Sequence, residues 1–525
     1  MTGDPERPSV PAVAGGRAQE LIGLLALTVG SALLRLEGGG ISLWLDEALS
    51  VGIASHEVTE IPAVLVQDAS PPLYYLLLHV WMAVFGTSEV AVRSLSLVFA
   101  VAMVPLAYWA GRSLFGRRVG WVAAALAATS PYLNTYAEEA RMYTLVALLA
   151  LVCVTAFLHA FCFGHRRWLP AFVVGLTLLV YTHNWGLLLA AASGLAAVVV
   201  AVLARGAARR QVLRDIVVCF GAVAALYVPW LPTLLAQVRH NAPPWSPVPV
   251  LREAVSALGS VLGDERSLVA LVVAAAVPML ALLRRRNTAE GASALALSVI
   301  LGASVAMAWV ASQLGLGWSP RYFGIFLAPL VLIAALGLSR AGTAGLVALA
   351  LIVAFWTQPL GRITGLRATV SDSEKSNVRQ VATAMGPLAR PGDLMVSAQM
   401  EQVPALRYYF GPELRYATPI GAVPDPEVVD WRDGLSRMEA ATPAVGLAPL
   451  VHALPPGHRV FLACPRISTT EDDLEWDQVM DRHCQSWRAA LDQDPGMKLV
   501  QDRFPPPAEG ELGTSVIVFV YQKVS

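Results

Sequence analysis

The chain has 525 residues, 56% of them hydrophobic and 14% charged, with a formal net charge of +0 and a mean hydropathy of +0.56. That composition lies outside the soluble globular class and describes a polytopic membrane protein. Balanced charge gives no support to a nucleic-acid partner, whose phosphates would need a clustered basic face, and none is expected.

Residues 1–17 are polar and rich in proline and glycine, and no small-residue cleavage pattern follows the first apolar run. They are expected to form a disordered cytoplasmic tail before an uncleaved span. Crossing the hydrocarbon takes about 20 apolar residues per helix. The expected spans are 20–36, 90–109, 119–130, 143–163, 169–182, 186–204, 216–235, 268–283, 292–314, 322–338 and 344–356, about eleven in all. The apolar stretch 73–85 is too short to span and carries Tyr74, Tyr75, Trp81 and Phe85, which suits a helix lying at the interface.

Loop charge supports that assignment, since cytoplasmic loops collect Lys and Arg. With 73–85 kept out of the bilayer, every second loop is basic: Arg112/Arg117/Arg118, Arg166/Arg167, Arg205/Arg209/Arg210/Arg214, Arg284/Arg285/Arg286 and Arg340. The opposite loops carry Asp46/Glu47/Glu57/Glu60/Asp68, Glu138/Glu139 and Asp264/Glu265. The expected topology is a cell-membrane protein with its N-terminus cytoplasmic and its C-terminus outside, and with a membrane domain over 18–357.

Polar chemistry gathers on the outer side. The first outer loop, 37–89, holds Trp44-Leu45-Asp46-Glu47 and is long enough to be functional. The second holds Tyr136-Ala137-Glu138-Glu139-Ala140-Arg141-Met142-Tyr143, and two further outer connections hold Thr182-His183-Asn184-Trp185 and Ser319-Pro320-Arg321-Tyr322. A charge cluster at a membrane edge often only caps helices, and a lone His or Arg there often only bonds the interface. Convergence of all four on one face favours a site. Residues 237–264, with an amphipathic stretch 250–262, form another outer loop able to wall a cavity.

After Trp356 charge and proline rise. Apolar bursts at 394–397, 460–463, 499–504 and 515–521 read as strands, and 402–409 and 474–491 as helices, giving a small extracytoplasmic α/β domain over 371–525. It has no glycine-rich phosphate loop. Cys464 and Cys484 lie within it and can pair if it faces an oxidising compartment; two free thiols are the alternative.

Carboxylates at the outer mouth of a helix bundle suit a reaction in which an acceptor meets a membrane-borne donor. A sugar on a lipid phosphate needs a general base for the acceptor hydroxyl, cations for the departing phosphate and an apolar groove. Asp46 can supply the base, and Arg141 and Arg321 the cations.

The two loop motifs, with Asp68-Ala69-Ser70-Pro71-Pro72-Leu73-Tyr74-Tyr75, Thr182-His183-Asn184-Trp185 and Ser319-Pro320-Arg321-Tyr322-Phe323, resemble the bacterial GT-C glycosyltransferases of the protein O-mannosyltransferase-like, aminoarabinose transferase-like superfamily, that is, glycosyltransferase family 39-like proteins. The resemblance covers most of the membrane part and is weak over the C-terminal domain. It implies inverting transfer from a polyprenyl-phosphate monosaccharide, mannose or a pentose, to a glycan, lipid or protein acceptor on the extracytoplasmic face. It places Asp46 and Glu47 at the catalytic positions, Glu138, Glu139, Tyr143 and Tyr74 among sugar or acceptor contacts, and Arg141, Arg321, His183 and Tyr322 around the lipid phosphate. Some relatives have His where this chain has Ser70 before the double proline. The resemblance admits a divalent cation without naming its ligands, so no cofactor is assigned. A transporter or flippase of lipid-linked sugars, or a non-catalytic membrane scaffold, are the competing readings; the former usually places ionisable groups near the midplane and repeats its halves.

Overall fold

The computed structural model describes residues 12–36, 42–241, 243–357, 375–467, 469–470, 473–505 and 514–524. The membrane part comprises α1 (Ala12–Leu34), α2 (Leu45–Ser55), α3 (Ile61–Val64), α4 (Leu73–Phe85), α5 (Glu89–Phe115), α6 (Arg117–Thr129), α7 (Pro131–Ala137) and α8 (Tyr143–Phe157). It continues through α9 (Leu169–Val180), α10 (Gly186–Leu203), α11 (Gly206–Tyr227), α12 (Leu231–His240), α13 (Leu251–Val261), α14 (Glu265–Arg284), α15 (Ala289–Gln313), α16 (Gly324–Arg340) and α17 (Gly342–Thr357).

Eight helical stretches among the described residues are long and apolar enough to cross a membrane: Arg17–Leu34, Glu89–Phe115, Tyr143–Cys162, Gly186–Leu203, Gly206–His240, Glu265–Arg284, Ala289–Gln313 and Pro320–Arg340. The other three expected spans are present as the shorter helices α6, α9 and α17, of 13, 12 and 16 residues. Each falls below the length that crosses the hydrocarbon unaided. The expected span 216–235 lies inside Gly206–His240, which a single 3-10 turn around Pro229 divides. Helix α1 starts at Ala12, so the last part of the stretch expected to be a tail is helical; residues 1–11 lie outside the described residues.

Burial sorts the helices. The stretches Pro320–Arg340 and Tyr143–Cys162 are the most enclosed, and they form the centre of the bundle. Helix α14 instead exposes Val269, Val273 and Val277, and α1 exposes Leu21, Leu25 and Leu33, the apolar side chains of a lipid-facing surface. Side-chain caps mark several helix starts, with Ser88 accepting from Ala91 N, Asp264 from Ser267 N and Thr288 from Gly291 N.

The stretch 73–85 is α4, with the bounds its apolar run predicts. Leu73 N donates to the Tyr181 carbonyl (2.9 Å) and Trp81 Nε1 to the Ala91 carbonyl (2.9 Å), so α4 is fastened to α5 and to the α9–α10 connection. Its Tyr74 and Tyr75 point into the protein and are fully buried, whereas Val80, Val84 and Phe85 are exposed.

The C-terminal domain is built on a mixed six-stranded sheet of order β3-β2-β1-β4-β6-β5, with β1 Leu394–Ser397, β2 Arg415–Thr418, β3 Gly421–Ala422, β4 Arg459–Pro465, β5 Met497–Phe504 and β6 Val516–Lys523. Strand β1 is parallel to β2 and β4; β6 is antiparallel to β4 and β5. The four apolar bursts are β1, β4, β5 and β6. Strands β2 and β3 went unforeseen, because Arg415–Thr418 has too few apolar residues to stand out and the two-residue β3 has none to alternate.

The alternation of side chains explains the domain's position. Leu394, Val396, Val460, Leu462, Phe519 and Tyr521 pack one face of the sheet with Trp487 and Leu491 of the helix Glu475–Gln493. Met395, Phe461, Ala463, Val518 and Val520 belong to the core that continues into the membrane helices. Both faces are therefore covered, one by the helix Glu475–Gln493 and the other by the helices Val378–Met385 and Val403–Phe410, the latter of which packs on α2. Cys464 and Cys484 form a disulfide between β4 and that helix.

The docking is dense in hydrogen bonds. Leu43 N donates to Tyr409 Oη (2.7 Å), Tyr408 Oη to the Thr87 carbonyl (2.7 Å), Trp431 N to the Gln67 carbonyl (2.9 Å) and Asp433 N to the His240 carbonyl (2.8 Å). Gly52 of α2 meets the backbone of Glu427 so closely that an added Cβ would stand 2.0 Å from its carbonyl oxygen. Gly52→Ala is therefore expected to lower stability by about 1–3 kcal/mol through overpacking. Gly221→Ala, at a position with nothing within 4 Å, is the control and should leave the thermal unfolding midpoint unchanged or slightly raised.

Candidate functional site

Asp46 and Glu47 are neighbours in the first turn of α2, and their side chains go to different places. Glu47 is buried, 1% exposed, and holds a bidentate pair with Arg93 of α5: Nε to Oε1 at 2.7 Å and an Nη to Oε2 at 2.6 Å. Ala140 N donates to Oε1 (2.8 Å) and Trp44 N to Oε2 (3.3 Å). Both carboxylate oxygens are thus occupied, so Glu47, expected at a catalytic position, binds the two acidic loops and α5 together.

Asp46 faces two arginines. Its Oδ2 accepts from an Nη of Arg321 at 2.6 Å and lies 4.0 Å from an Nη of Arg141. Arg141 is itself placed by donating to the Asp46 carbonyl (3.3 Å) and Ser50 Oγ (3.1 Å). Arg141 precedes α8 by two residues, and Arg321 sits in the 3-10 turn Pro320–Phe323 that leads into α16. Two guanidinium groups therefore face one carboxylate, a concentration of positive charge suited to an anion. The Nε atoms of Arg141 and Arg321 have no hydrogen-bond partner among the described residues.

Aromatic rings form the wall. The Arg321 guanidinium lies 4.5 Å from the Trp245 ring centre, 5.7 Å from Trp44 and 5.6 Å from Tyr322, so cation–π attraction holds it flat. Tyr143 lies 5.7 Å from Arg141, and His183 stands 5.0 Å from Tyr322 and 6.3 Å from Tyr143. Trp185 N donates to His183 Nδ1 (3.1 Å), which fixes the proton of the neutral ring on Nε2. Burial, with Arg141 and Arg321 nearby, pushes the His183 pKa down to about 3, so the ring is a neutral donor.

Glu139 is buried and paired with Lys375, from the segment that opens the described C-terminal part; its second oxygen has no partner among the described residues. Burial raises its pKa, and Lys375 opposes the shift. Glu138 is half-buried beside it. Tyr74, expected among the acceptor contacts, is fully buried: its hydroxyl lies 3.3 Å from Ser96 Oγ, which donates to the Arg141 carbonyl at 2.9 Å. Its place is beneath Arg141. Asp68 of the first loop is also buried, with Tyr75 Oη 3.4 Å from Oδ2, and burial raises its pKa against the pull of Arg141.

The structure thus brings Asp46, Arg141, Arg321, His183, Tyr143 and Tyr322 together, with Glu139 alongside. Arg93, Lys375, Trp245 and Asp68 complete the surroundings. Arg93 was legible as a charge just inside the apolar run 90–109, where an ionisable group requires a partner. Lys375 carries no local signal, being 236 residues from Glu139. As for a cation at this centre, Asp46, Glu47 and Glu139 each already face Arg321, Arg93 or Lys375, so the donor set does not suit a metal.

Residues 69–233 match the family model described as dolichyl-phosphate-mannose-protein mannosyltransferase. The whole architecture is similar to the crystal structure of ArnT from Cupriavidus metallidurans in the apo state, with a TM-score of 0.61 and 14% identity over 96% of this chain and 98% of that one. The chain has the GT-C fold. The same ArnT bound to undecaprenyl phosphate gives a TM-score of 0.57 at 13% identity, over 97% and 98% of the two chains. The archaeal oligosaccharyltransferase AglB from Archaeoglobus fulgidus, in complex with an inhibitory peptide and a dolichol-phosphate, gives 0.53 at 13% identity, over 85% and 69%. No curated protein matches this GT-C chain in sequence.

Two expectations follow from the buried carboxylates. Lys375→Met leaves Glu139 buried and unpaired and should destabilise by about 1–3 kcal/mol, while Lys375→Met with Glu139→Gln should recover most of it in thermal unfolding. For Asp68 the raised pKa means that protonation favours the folded state. That stabilisation is complete below about pH 4 and is lost as pH rises through the folded-state value. Asp68→Asn removes the loss, so the midpoint difference between variant and wild type should move in the variant's favour as pH rises from 4.

Proposed function

We propose that this chain is an inverting glycosyltransferase that moves a sugar, mannose or a pentose, from a polyprenyl-phosphate monosaccharide to an envelope glycan, lipid or protein on the extracytoplasmic face. The observation that carries the proposal is the single Asp46 oxygen set between Arg141 and Arg321. A base for the acceptor and two cations for a phosphate thereby occupy one centre at the mouth of an apolar bundle.

The geometry supports the following sequence. The donor phosphate engages Arg141 and Arg321, whose Nε donors have no hydrogen-bond partner among the described residues, and draws the Arg321 fork away from Asp46. His183 Nε2–H and the Tyr322 hydroxyl add neutral donors on the same side. Asp46 then accepts the proton of the acceptor hydroxyl as its oxygen attacks the anomeric carbon from the face opposite the phosphate. The bond from the anomeric carbon to phosphate oxygen breaks, its electron pair leaves with the polyprenyl phosphate, and the configuration inverts. Glu138, Glu139 and Tyr143 line the side on which the sugar and acceptor sit, with Tyr74 holding Arg141 from below.

The ArnT structure with undecaprenyl phosphate and the AglB complex with dolichol-phosphate support a lipid-phosphate donor by their likeness in fold. The Cys464–Cys484 disulfide favours an oxidising, extracytoplasmic location for the C-terminal domain, with the arginine-rich connections and the N-terminus cytoplasmic. That domain, with boundaries at 371–525 beside a membrane domain over 18–357, positions the acceptor.

The test is transfer in proteoliposomes from labelled polyprenyl-phosphate mannose and polyprenyl-phosphate arabinose. Asp46→Asn should lower turnover about 10²–10⁴-fold in protein that thermal unfolding shows to be folded. Wild-type turnover by a folded Asp46→Asn protein removes Asp46 as the base.

A further inference from the structure

Strand β1 stands inside its sheet with a parallel neighbour on either side, β2 and β4. The connection from β1 to β2 runs through the helix Val403–Phe410, whose Val403, Ala405 and Leu406 join the core shared with the membrane helices. The connection from β2 to β4 runs through the helix Ala448–His452, whose Val451 packs on the opposite face. Connections that leave on opposite faces open a crevice outside the carboxyl ends of the strands, and α/β sheets bind their ligands there. At that end of β1 the chain reads Ala398-Gln399-Met400-Glu401-Gln402. Ala398 N still bonds the Ala463 carbonyl of β4 (2.8 Å), and the turn Met400–Gln402 then packs against α2, the helix that carries Asp46.

The polar side chains of this turn are buried and lack donors. Glu401, 6% exposed, accepts at Oε1 from Trp476 Nε1 (2.9 Å) and Gln399 Nε2 (3.0 Å), while its Oε2 has no hydrogen-bond partner among the described residues. Gln399 and Gln402 repeat the pattern: each commits its amide N–H, Gln402 to the Thr514 carbonyl (2.7 Å), and each leaves its oxygen without a partner among the described residues. Acceptor oxygens buried in this way are costly unless a donor meets them. A run of contacts leads from the turn to the Asp46 centre. Thr514 Oγ1 donates to the Lys375 carbonyl, and Lys375 pairs with Glu139, whose Oε2 also has no partner among the described residues. Burial raises the pKa of Glu401, and the charge of Asp46 adds to the rise, so the two carboxylates lie within electrostatic reach.

We propose that Glu401 and Gln399 of the C-terminal domain, with Glu139 on the other side of Lys375, bind the hydroxyl groups of a saccharide acceptor. The ligand class follows from the chemistry of the free atoms, which are acceptors throughout. A phosphate or carboxylate presents acceptors only and is repelled, and a peptide backbone brings a carbonyl with every N–H. Sugar hydroxyls supply donors in clusters, and a carboxylate with one oxygen held from behind is a rigid partner for them. Of the glycan, lipid and protein acceptors left open above, the turn selects the glycan. This inference deepens the transfer reading and rests on it for the acceptor role. The binding itself is independent of Asp46 chemistry.

The experiment titrates the full chain in nanodiscs, without donor, with methyl mannobioside and methyl arabinobioside, and follows binding by saturation-transfer NMR. Saturable binding of at least one glycoside by wild type is expected. Gln399→Leu and the near-isosteric Glu401→Gln, each checked for folding by thermal unfolding, should weaken it about 10-fold or more. Asp46→Asn should bind as wild type does. No saturable binding of either glycoside by wild type, or unchanged binding by folded Glu401→Gln and Gln399→Leu, overturns the subsite whether or not transfer is seen. Weakened binding in those two variants beside a fully active Asp46→Asn protein supports the subsite and strikes only the assignment of the base.

Discussion

The Arg93–Glu47 pair is the constraint from which the site is built. Arg93 lies near the start of α5, Glu47 in the first turn of α2, and Ala140, which donates to Glu47, in the loop before α8. Arg93 also donates to the Ser42 carbonyl (3.1 Å). One buried ion pair thus joins three chain segments that converge on the site. Such a pair gains little net stability, because the desolvation of both charges offsets their attraction. Its contribution is register: full satisfaction of the carboxylate by four donors leaves α2 one position, and that position turns Asp46 toward the arginines.

Adjacent carboxylates consequently do different work. A helix separates successive side chains by about 100°, so when Glu47 points inward at α5, Asp46 is directed away from it. The Asp46 oxygen then finds Arg321 from a helix 275 residues later. Aromatic faces carry the rest of the geometry. Trp44, Trp245 and Tyr322 flank the Arg321 guanidinium, which confines it to a plane while leaving its edge free to bond the Asp46 carboxylate.

Much of this was legible in the sequence, and the exceptions have physical reasons. The bounds of α4 and β1 follow from uninterrupted apolar runs, and the convergence of Asp46, Arg141, His183 and Arg321 follows from charge alternation between loops. What the loops could not reveal is which of two neighbouring carboxylates faces Arg141 and Arg321, since that depends on Arg93 reaching Glu47. Tyr74 lies in a motif that draws attention to it, yet its hydroxyl is turned toward Ser96, because α4 buries one face against α5. Lys375 and Trp245 enter the site from segments whose composition resembles any polar loop. The short spans were readable as apolar runs, but their lengths of 12 to 16 residues express how they pack inside a bundle, where neighbours complete the thickness that hydrocarbon would otherwise demand.

The C-terminal domain is tied to the same machinery at both ends of α2. Lys375 reaches Glu139 next to Ala140, the donor to Glu47, and the segment 424–427 closes on Gly52 and His56 at the helix's other end. Between them Tyr408 and Tyr409 bond the start of α5 and the residue before Trp44. A displacement of this domain would therefore load α2 along its whole length, and α2 can shift only if the Arg93–Glu47 pair yields. Because that pair is buried, a small rotation costs several kcal/mol once its hydrogen bonds lengthen. Domain and first loop are accordingly coupled, which makes the C-terminal domain part of the site's rigidity rather than an appendage to it.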